Sequence, residues 1–269
     1  MGGNYDPEFV TQTERDTWNR VGRNYLDVFA RMTGRGAPLL IKAAGIRNGD
    51  QVLEIGCGPG YVAGLLSHTG ARLVGIDLAP QMVDAARATY PDIEFHEANA
   101  EELPFESGRF DVVVACYALH HLARPEQAFT EMHRVLKNAG RLAFVHPLQQ
   151  ESMDIFFEAV AQHHTLEAVP HGPLFGSTDR TLFESMMTTV GLTDCHFENQ
   201  ELALRLASLD PFIGSCRDFL GLDDLSRELW HKIEVTARDN AEAHRHGGQF
   251  VFTDTVLLGR AIKASDVAA

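Results

Sequence analysis

The chain has 269 residues, of which 45% are hydrophobic and 22% charged, the balance of an ordinary globular protein. Its formal net charge is −14, which argues against nucleic acid or an anionic membrane as partner, because both bind clusters of Lys and Arg. No apolar run approaches the roughly 18 residues of a membrane span, and no signal peptide is expected. Four cysteines without a CxxC pair predict free thiols in a reducing compartment. We therefore expect a cytoplasmic protein.

The predicted elements begin with helices and then alternate. Helical spacing over about residues 8–45 predicts a helix followed by a second, shorter one. Five strands are then predicted, in "DQVLEIG", "ARLVGID", "DIEFHEA", "RFDVVVACYA" and "RLAFVHP". The helices between them are predicted in "YVAGLLSHTG", "APQMVDAARATY" and "RPEQAFTEMHRVLKNAG", the last ending at Gly140. Strands that alternate with helices imply parallel pairing, with helices on both faces of the sheet.

The alternation is less regular after Pro147. Helices are predicted near residues 151–167 and 179–190, and "TDCHFENQELAL" predicts a strand. A helical block over 208–246 precedes a final strand in "GQFVFTDTVLLGRAIKA". Two late strands separated by a helical block predict a hairpin with an inserted lid.

A glycine-rich turn is the strongest motif. In "VLEIGCGPGYVAGLL", Gly56, Gly58 and Gly60 follow a strand and precede a helix, where missing Cβ atoms allow a ligand to approach the backbone. The nicotinamide or flavin pattern G-x-G-x-x-G/A is not met, because Tyr61 stands at its last position. Asp77, at the end of the second strand, is either a helix cap or a ligand for both ribose hydroxyls. The glycine turn upstream favours the ribose.

The chain resembles the class I S-adenosylmethionine-dependent methyltransferases, in particular their type 11 small-molecule branch. The matching stretches are "VLEIGCGPG", "LVGIDLAPQMV", "EANAEELPFESGRFDVVVACYALHHL" and "VLKNAGRLAFV", which cover about residues 50–146. The resemblance implies an α/β fold: a Rossmann-like, seven-stranded, mostly parallel sheet with helices on both faces, N-terminal helices and a helical lid insertion. It also implies S-adenosyl-L-methionine as cofactor.

On this basis residues 1–269 are expected to form a single methyltransferase domain. Its expected parts are an N-terminal helical cap (1–48), a cofactor-binding core (49–147), the remaining core and pocket elements (148–206), a helical lid (207–248) and a final strand (249–265). Whether the protein forms a homodimer is left open.

The resemblance assigns cofactor contacts to particular positions. The glycine turn would lie under the methionine half, Glu54 would help to hold the amino group, and Leu78 and Met82 would pack on adenine. Asn99 stands where the family usually has Asp, so weaker cofactor affinity is expected because the amide accepts without charge. The implied cofactor-binding residues are Tyr25, Glu54, Gly56, Cys57, Gly58, Gly60, Asp77, Leu78, Met82, Asn99, Ala100, Glu101 and Cys116.

Candidate catalytic residues follow the fourth strand. By the resemblance, Tyr117, His120 and His121 lie near the site of methyl transfer. Adjacent helical residues diverge by about 100°, so only one of the two histidines is predicted to point inward. His121 is the first candidate for a general base, followed by His120, His146 and Tyr117, with His171 as a further one. No metal is predicted, because no histidine pair has HxxxH spacing.

The flanking segments are rich in Phe and Met, which favours an apolar or aromatic acceptor. The predicted function is methyl transfer to an O, N or C atom of a small metabolite, in secondary or quinone-type metabolism. Trp18 and Tyr25 are candidates to face the sulfonium. Three alternatives stay open: an S-adenosylmethionine-binding cyclase or decarboxylase, an RNA or protein methyltransferase, and a nicotinamide dehydrogenase.

Overall fold

The computed structural model describes residues 5–21, 29–166 and 171–265. Its α-helices in these ranges are α1 (Pro7–Val21), α2 (Phe29–Gly34), α3 (Ala37–Ala44), α4 (Tyr61–Ser67), α5 (Pro80–Thr89), α6 (Pro125–Val135), α7 (Glu151–His163), α8 (Arg180–Thr189), α9 (Asp210–Leu220) and α10 (Arg227–Ala241). Its strands are β1 (Gln51–Ile55), β2 (Arg72–Asp77), β3 (Glu94–Glu97), β4 (Phe110–Cys116), β5 (Leu136–Gln150), β6 (Leu192–Leu206), β7 (Arg245–His246) and β8 (Gln249–Lys263).

The strands form one sheet in the order β3-β2-β1-β4-β5-β8-β6, with β7 paired to β8. Strands β1 to β5 pair in parallel, and β8 runs antiparallel to both β5 and β6. This confirms the Rossmann-like, mostly parallel sheet, to which the two-residue β7 adds an eighth strand. The chain changes direction across the sheet between β1 and β4. In such sheets, a ligand cleft opens at this point, beyond the carboxyl ends of the strands.

Continuous apolar sequence explains why β1 and β4 lie at the centre. Val112, Val113 and Val114 are all fully buried although alternate residues face opposite sides of the sheet. Ile55 of β1 is paired with Ala115 of β4. The residues that follow these two strands are therefore brought side by side.

The predicted third helix of the core is too long. Helix α6 ends at Val135, and β5 begins at Leu136, so Gly140 lies within a strand instead of ending a helix. Leu136 pairs with Phe110 of β4, and both are fully buried. Pairing with the sheet outweighs the helical periodicity of this segment.

The late strands form the predicted hairpin around a helical insertion. Strand β6 pairs with β8 over most of its length, and α9 and α10 lie between them in the chain. Gly221, with φ of 64°, ends α9 and splits the predicted helical block. Phe212 and Trp230 of the insertion share one buried cluster with Phe29 and Met32 of the N-terminal part. No helix within the described ranges is long and apolar enough to cross a membrane.

Candidate active site

The turn after β1 depends on glycine for its contact with the loop after β4. Gly56 has a φ of 64°, and a Cβ placed on it would lie 2.5 Å from the Cβ of Ala118. Gly58 also has a positive φ, of 52°. Gly60 has a different role, because its Cβ would lie 2.9 Å from Phe95 and Tyr90. It allows α4 to pack against the sheet.

Gly56→Ala is expected to unfold at lower denaturant concentration than Gly49→Ala. Both glycines have positive φ, but a Cβ on Gly49 meets nothing within 4 Å. Each alanine costs about 1–2 kcal/mol in backbone strain, and the clash with Ala118 adds about 1–3 kcal/mol. Urea denaturation of both variants measures the difference. Equal losses of stability would show that the contact between the two loops does not need Gly56.

Asp77 links the end of β2 to the glycine turn. Its Oδ2 accepts a hydrogen bond of 2.8 Å from the backbone N–H of Gly58, and its Oδ1 accepts one of 2.9 Å from Ala79. Burial raises the pKa of this carboxyl, and the two backbone donors offset part of that rise. Each carboxylate oxygen keeps a second lone pair for a ligand hydroxyl.

A cleft of about 770 Å³ opens at the carboxyl edge of the sheet, and we call it the first cavity. It is lined by Thr11, Glu14, Trp18, Ile55, Gly56, Gly58, Ile76, Asp77, Leu78, Met82, Ala98, Asn99, Ala100, Glu101, Cys116, Tyr117, Ala118, His121, Leu122 and Ala123. The structure thus brings together most of the predicted cofactor positions. Glu54, Cys57 and Gly60 are not among its lining residues, and Tyr25 lies outside the described residues.

Three polar residues near this cavity are held in different ways. Glu54 is buried, and its Oε2 has no hydrogen-bond partner within the described residues. Burial, with Asp77 close by, raises the pKa of Glu54 well above its usual value. Asn99 Oδ1 accepts a hydrogen bond of 2.9 Å from the N–H of Glu101. Both carboxylate oxygens of Glu101 contact Arg124, at 2.7 and 3.0 Å. The Glu101 side chain therefore holds the loop that begins α6.

A second cavity of about 1000 Å³ adjoins the first. It is lined by Trp18, Phe29, Met32, Thr33, Tyr117, His120, His121, Pro147, Leu148, Gln149, Gln150, Met153, Asp154, Phe157, Phe175, Gly176 and Phe219. Trp18, Tyr117 and His121 line both cavities. A small molecule in one cavity could therefore touch a molecule bound in the other.

Glu14 of α1 is a residue that the sequence reasoning missed. Its Oε2 lies 2.9 Å from Nδ1 of His121, and its Oε1 lies 3.5 Å from Nδ1 of His171. Trp18 Nε1 donates a hydrogen bond of 3.1 Å to the same Oε2. Burial opposes the charge on Glu14, but the two imidazoles outweigh it and lower its pKa to about 2. The sequence contained one indication of this role. Glu14 lies on the apolar side of α1, between Val10 and Val21, where an apolar residue is expected.

The prediction that only one of His120 and His121 points inward is wrong, since both line the second cavity. They belong to a short 3₁₀ helix, Leu119–His121, and their ring centroids are 3.9 Å apart. The two rings lie side by side and both reach the second cavity, so the divergence expected for adjacent residues of an α-helix does not apply to this turn. His120 is buried, and its Nδ1 has no hydrogen-bond partner within the described residues. Burial, with His121 next to it, lowers the pKa of His120 well below its usual value.

His146 and Tyr117 differ in their access to the cavities. His146 is fully buried, lies 3.0 Å through its Nε2 from the carbonyl of Ser177, and lines neither cavity. Burial lowers its pKa to about 4. Tyr117 lines both cavities and has a positive φ of 54°, a strained conformation of the kind found at functional sites. No three His, Cys, Asp or Glu side chains in the described ranges could hold a metal ion together.

Comparison with known sequences identifies the family. The profile of the Methyltransferase domain, type 11, matches residues 53–144. A demethylmenaquinone methyltransferase of Chlorobaculum parvum is 37% identical over 99 residues, which are 36% of this chain and 41% of that protein. The ubiquinone/menaquinone biosynthesis C-methyltransferase UbiE of a Geobacter species is 30% identical over 183 residues, which are 59% of this chain and 77% of that protein. The chain thus covers less than half of the Chlorobaculum protein's length.

The fold has solved relatives. The crystal structure of YcgJ from Bacillus subtilis superposes with a TM-score of 0.57 at 22% identity, covering 86% of this chain and 98% of that one. This likeness concerns the fold. The sequence matches show that the chain belongs to the class I S-adenosylmethionine-dependent methyltransferases of type 11.

The residues of the first cavity fit this cofactor. Asp77 presents carboxylate oxygens beside the glycine turn, at a suitable place for ribose hydroxyls. The buried Oε2 of Glu54, which has no partner among the described residues, provides a polar atom behind the same turn, suited to indirect support of an amino group. Leu78 and Met82 supply an apolar wall for a base.

Proposed function

We propose that the protein transfers a methyl group from S-adenosylmethionine in the first cavity to a small, apolar or aromatic metabolite in the second. The observation that carries this proposal is that the two cavities meet at Trp18, Tyr117 and His121. A donor and an acceptor bound on either side of these residues would be in contact. Holding two reactants in line can contribute about 7–11 kcal/mol to a reaction of this kind.

Within the first cavity, Asp77 would accept the ribose hydroxyls, and Leu78 and Met82 would pack on adenine. Asn99 and Ala100 would lie at the adenine edge, where the Asn99 amide accepts without a charge. The Gly56–Gly58 turn would lie against the methionine half. The Sγ of Cys116 donates to the carbonyl of Thr33. The backbone of Cys116, and not its side chain, would therefore contact the amino group of the cofactor.

Helix α1 would exclude water from the reacting atoms. Thr11, Glu14 and Trp18 lie along one side of this helix and line the first cavity. When bound, S-adenosylmethionine supplies an activated methyl group on a positively charged sulfur. Aromatic faces attract such cations, and Trp18 lies where the two cavities meet. His121 is the candidate base at the same junction.

Aromatic and apolar side chains support the choice of acceptor. Phe29, Phe157 and Phe219 line the second cavity together with Trp18. The ring centroids of Trp18 and Phe219 are 5.6 Å apart. A flat, apolar acceptor of secondary or quinone-type metabolism would pack against these rings. The two quinone methyltransferases named above support the same choice.

Isotope transfer tests the proposal. The protein is incubated with S-adenosylmethionine carrying a heavy methyl group and a small-molecule extract of its host, and mass spectrometry follows label and S-adenosylhomocysteine. We expect a labelled small metabolite. Cofactor binding without any labelled metabolite would overturn the proposal in favour of a cyclase- or decarboxylase-type enzyme. Label in RNA or protein would overturn it in favour of a macromolecular methyltransferase.

A further inference from the structure

We propose that the methylated atom is the hydroxyl oxygen of an uncharged aromatic compound, and that Glu14 is the positioning residue that makes His121 its base. This inference rests on the proposed function and deepens it. It makes the N-terminal helix a part of the catalytic machinery. It also selects one class of acceptor among the O, N and C acceptors that the fold allows.

The contact between Glu14 and His121 determines where the imidazole carries its proton. An ionised carboxylate can only accept hydrogen bonds, and Glu14 Oε2 lies 2.9 Å from Nδ1 of His121. The contact does not have the geometry of a regular hydrogen bond, but a ring nitrogen this close to an ionised carboxylate oxygen carries the proton between them. Nε2, the other ring nitrogen, then keeps its lone pair. The His121 side chain lines both cavities, and for the proposed step this lone pair has to face the acceptor.

Glu14 itself is held firmly in place. Its side chain is only 7% exposed. The indole N–H of Trp18, one turn further along α1, donates to the oxygen that faces His121. Hydrogen bonds on both sides of Glu14 hold helix α1 against the rest of the protein. Tyr5 donates to the carbonyl of Ala123 at 2.6 Å, and Arg20 donates to the carbonyl of Asp218 at 3.0 Å.

Methyl transfer to a hydroxyl releases a proton, and the Glu14–His121 pair accepts it. An oxygen lone pair of the acceptor forms the new bond to the methyl carbon, and the carbon–sulfur bond breaks with its electron pair going to sulfur. The hydroxyl proton moves to Nε2 of His121. The imidazolium that results lies beside the Glu14 carboxylate, which stabilises its charge. The proton is released to water afterwards. An amine that binds unprotonated has less need of this arrangement.

His120 offers a second polar contact to the same acceptor. It lines the second cavity and is 9% exposed, with a partnerless Nδ1 within the described residues. A buried polar atom without a partner is costly, and an acceptor with a further oxygen would satisfy it. The His120 and His121 rings are adjacent. An acceptor with neighbouring oxygen substituents on one ring therefore fits both.

The charge of the second cavity selects an acceptor without negative charge. Among the lining residues that the structure describes there is no Lys or Arg, and Asp154 is the only acidic one. An anion bound here would meet the Asp154 carboxylate and would find no counter-charge among these described residues. Aromatic rings such as Phe29, Phe157 and Phe219 suit a flat, uncharged body instead.

A matched set of acceptors tests the substrate class. The protein is incubated with ¹³C-methyl S-adenosylmethionine and 1-naphthol, 1-naphthylamine, 1-naphthoic acid or the host extract, and ¹³C NMR distinguishes methyl carbons on O, N and C. We expect O-methyl label in naphthol or in an extract phenol. Label on N or C, or transfer to naphthoate, would overturn this inference and leave the proposed function intact. No transfer at all, with cofactor binding demonstrated by calorimetry, would overturn both.

Variants of Glu14 test the positioning role. For 1-naphthol, Glu14→Gln is expected to lower kcat at least about 10²-fold, the low end of the contribution of a general base, with KM little changed. Glu14→Asp should restore part of the rate. Ionised 4-nitro-1-naphthol should bind weakly, with a raised KM, because it is an anion. At saturation, Glu14→Gln should nevertheless keep most of the kcat of the unaltered protein with this acceptor, because no proton has to be removed.

Glu8→Gln is the matched control, since Glu8 is an exposed carboxylate on the same helix, paired with Arg124. It should behave as the unaltered protein toward both naphthols. Equal loss with the neutral and the ionised naphthol in Glu14→Gln would show a structural role and overturn the inference. Full activity of Glu14→Gln toward 1-naphthol would overturn it as well.

Discussion

Replacing His121 by Asn is expected to lower kcat about 10²–10⁴-fold, the contribution of a positioned general base, with little change in the dissociation constant for S-adenosylmethionine. His121 is the only histidine among the described residues that lines both cavities. Asparagine keeps a polar side chain of similar reach but cannot take up a proton. Steady-state kinetics with the acceptor identified by isotope transfer, and calorimetry with the cofactor, measure the two effects separately.

His196→Asn is the control for this prediction, because His196 is an exposed histidine of β6 that contacts Asp194. It should retain full activity. If His121→Asn retains the rate of the unaltered protein, the base is another group or the acceptor needs none. If it fails to bind the cofactor, His121 has a binding role that the kinetics would otherwise hide.

Replacing Asp77 by Ala is expected to weaken S-adenosylmethionine binding about 10²–10⁴-fold. Two hydrogen bonds from ribose hydroxyls to a charged acceptor contribute about 1.5–3 kcal/mol each, and about 1.4 kcal/mol corresponds to a factor of ten. The variant also removes the acceptor of the Gly58 and Ala79 backbone N–H groups. Titration calorimetry with cofactor, together with urea denaturation, measures both consequences.

Two further variants separate binding from folding in this experiment. Asp77→Asn keeps one oxygen acceptor and should bind more tightly than Asp77→Ala. Asp84→Ala removes an exposed carboxylate of α5, 3.6 Å from Arg87, and should bind cofactor normally. Unchanged affinity in Asp77→Ala, in a protein that denatures normally, would show that Asp77 is a structural cap and not a ribose ligand.

The alternation of core strands with helices, their parallel pairing and the position of the glycine turn could be predicted because they depend on local patterns. Short apolar runs such as that of β4 form buried parallel strands, and alternating helices impose parallel pairing. The Gly56–Gly60 turn and Asp77 fall at strand ends, and strand ends of a parallel sheet meet at one edge. Their meeting in one cleft therefore follows from sequence order alone.

The boundary between α6 and β5 could not be predicted in the same way. The segment around Leu136 continues the helical spacing of α6, but Leu136 pairs with Phe110 and becomes part of the sheet. The stabilisation of this pairing comes from Phe110, which lies 26 positions earlier in the chain. No window of local sequence contains both residues.

The sequence by itself determined the family, the cofactor and the edge of the sheet where the first cavity lies. Only the tertiary structure decided which residues surround the second cavity, because α1, the turn after β4 and the late insertion meet there from distant parts of the chain. Glu14 and His121 are 107 positions apart in sequence, yet their side-chain atoms are 2.9 Å apart. A carboxylate placed against an imidazole in this way is a product of folding, and the helical periodicity of α1 does not reveal it.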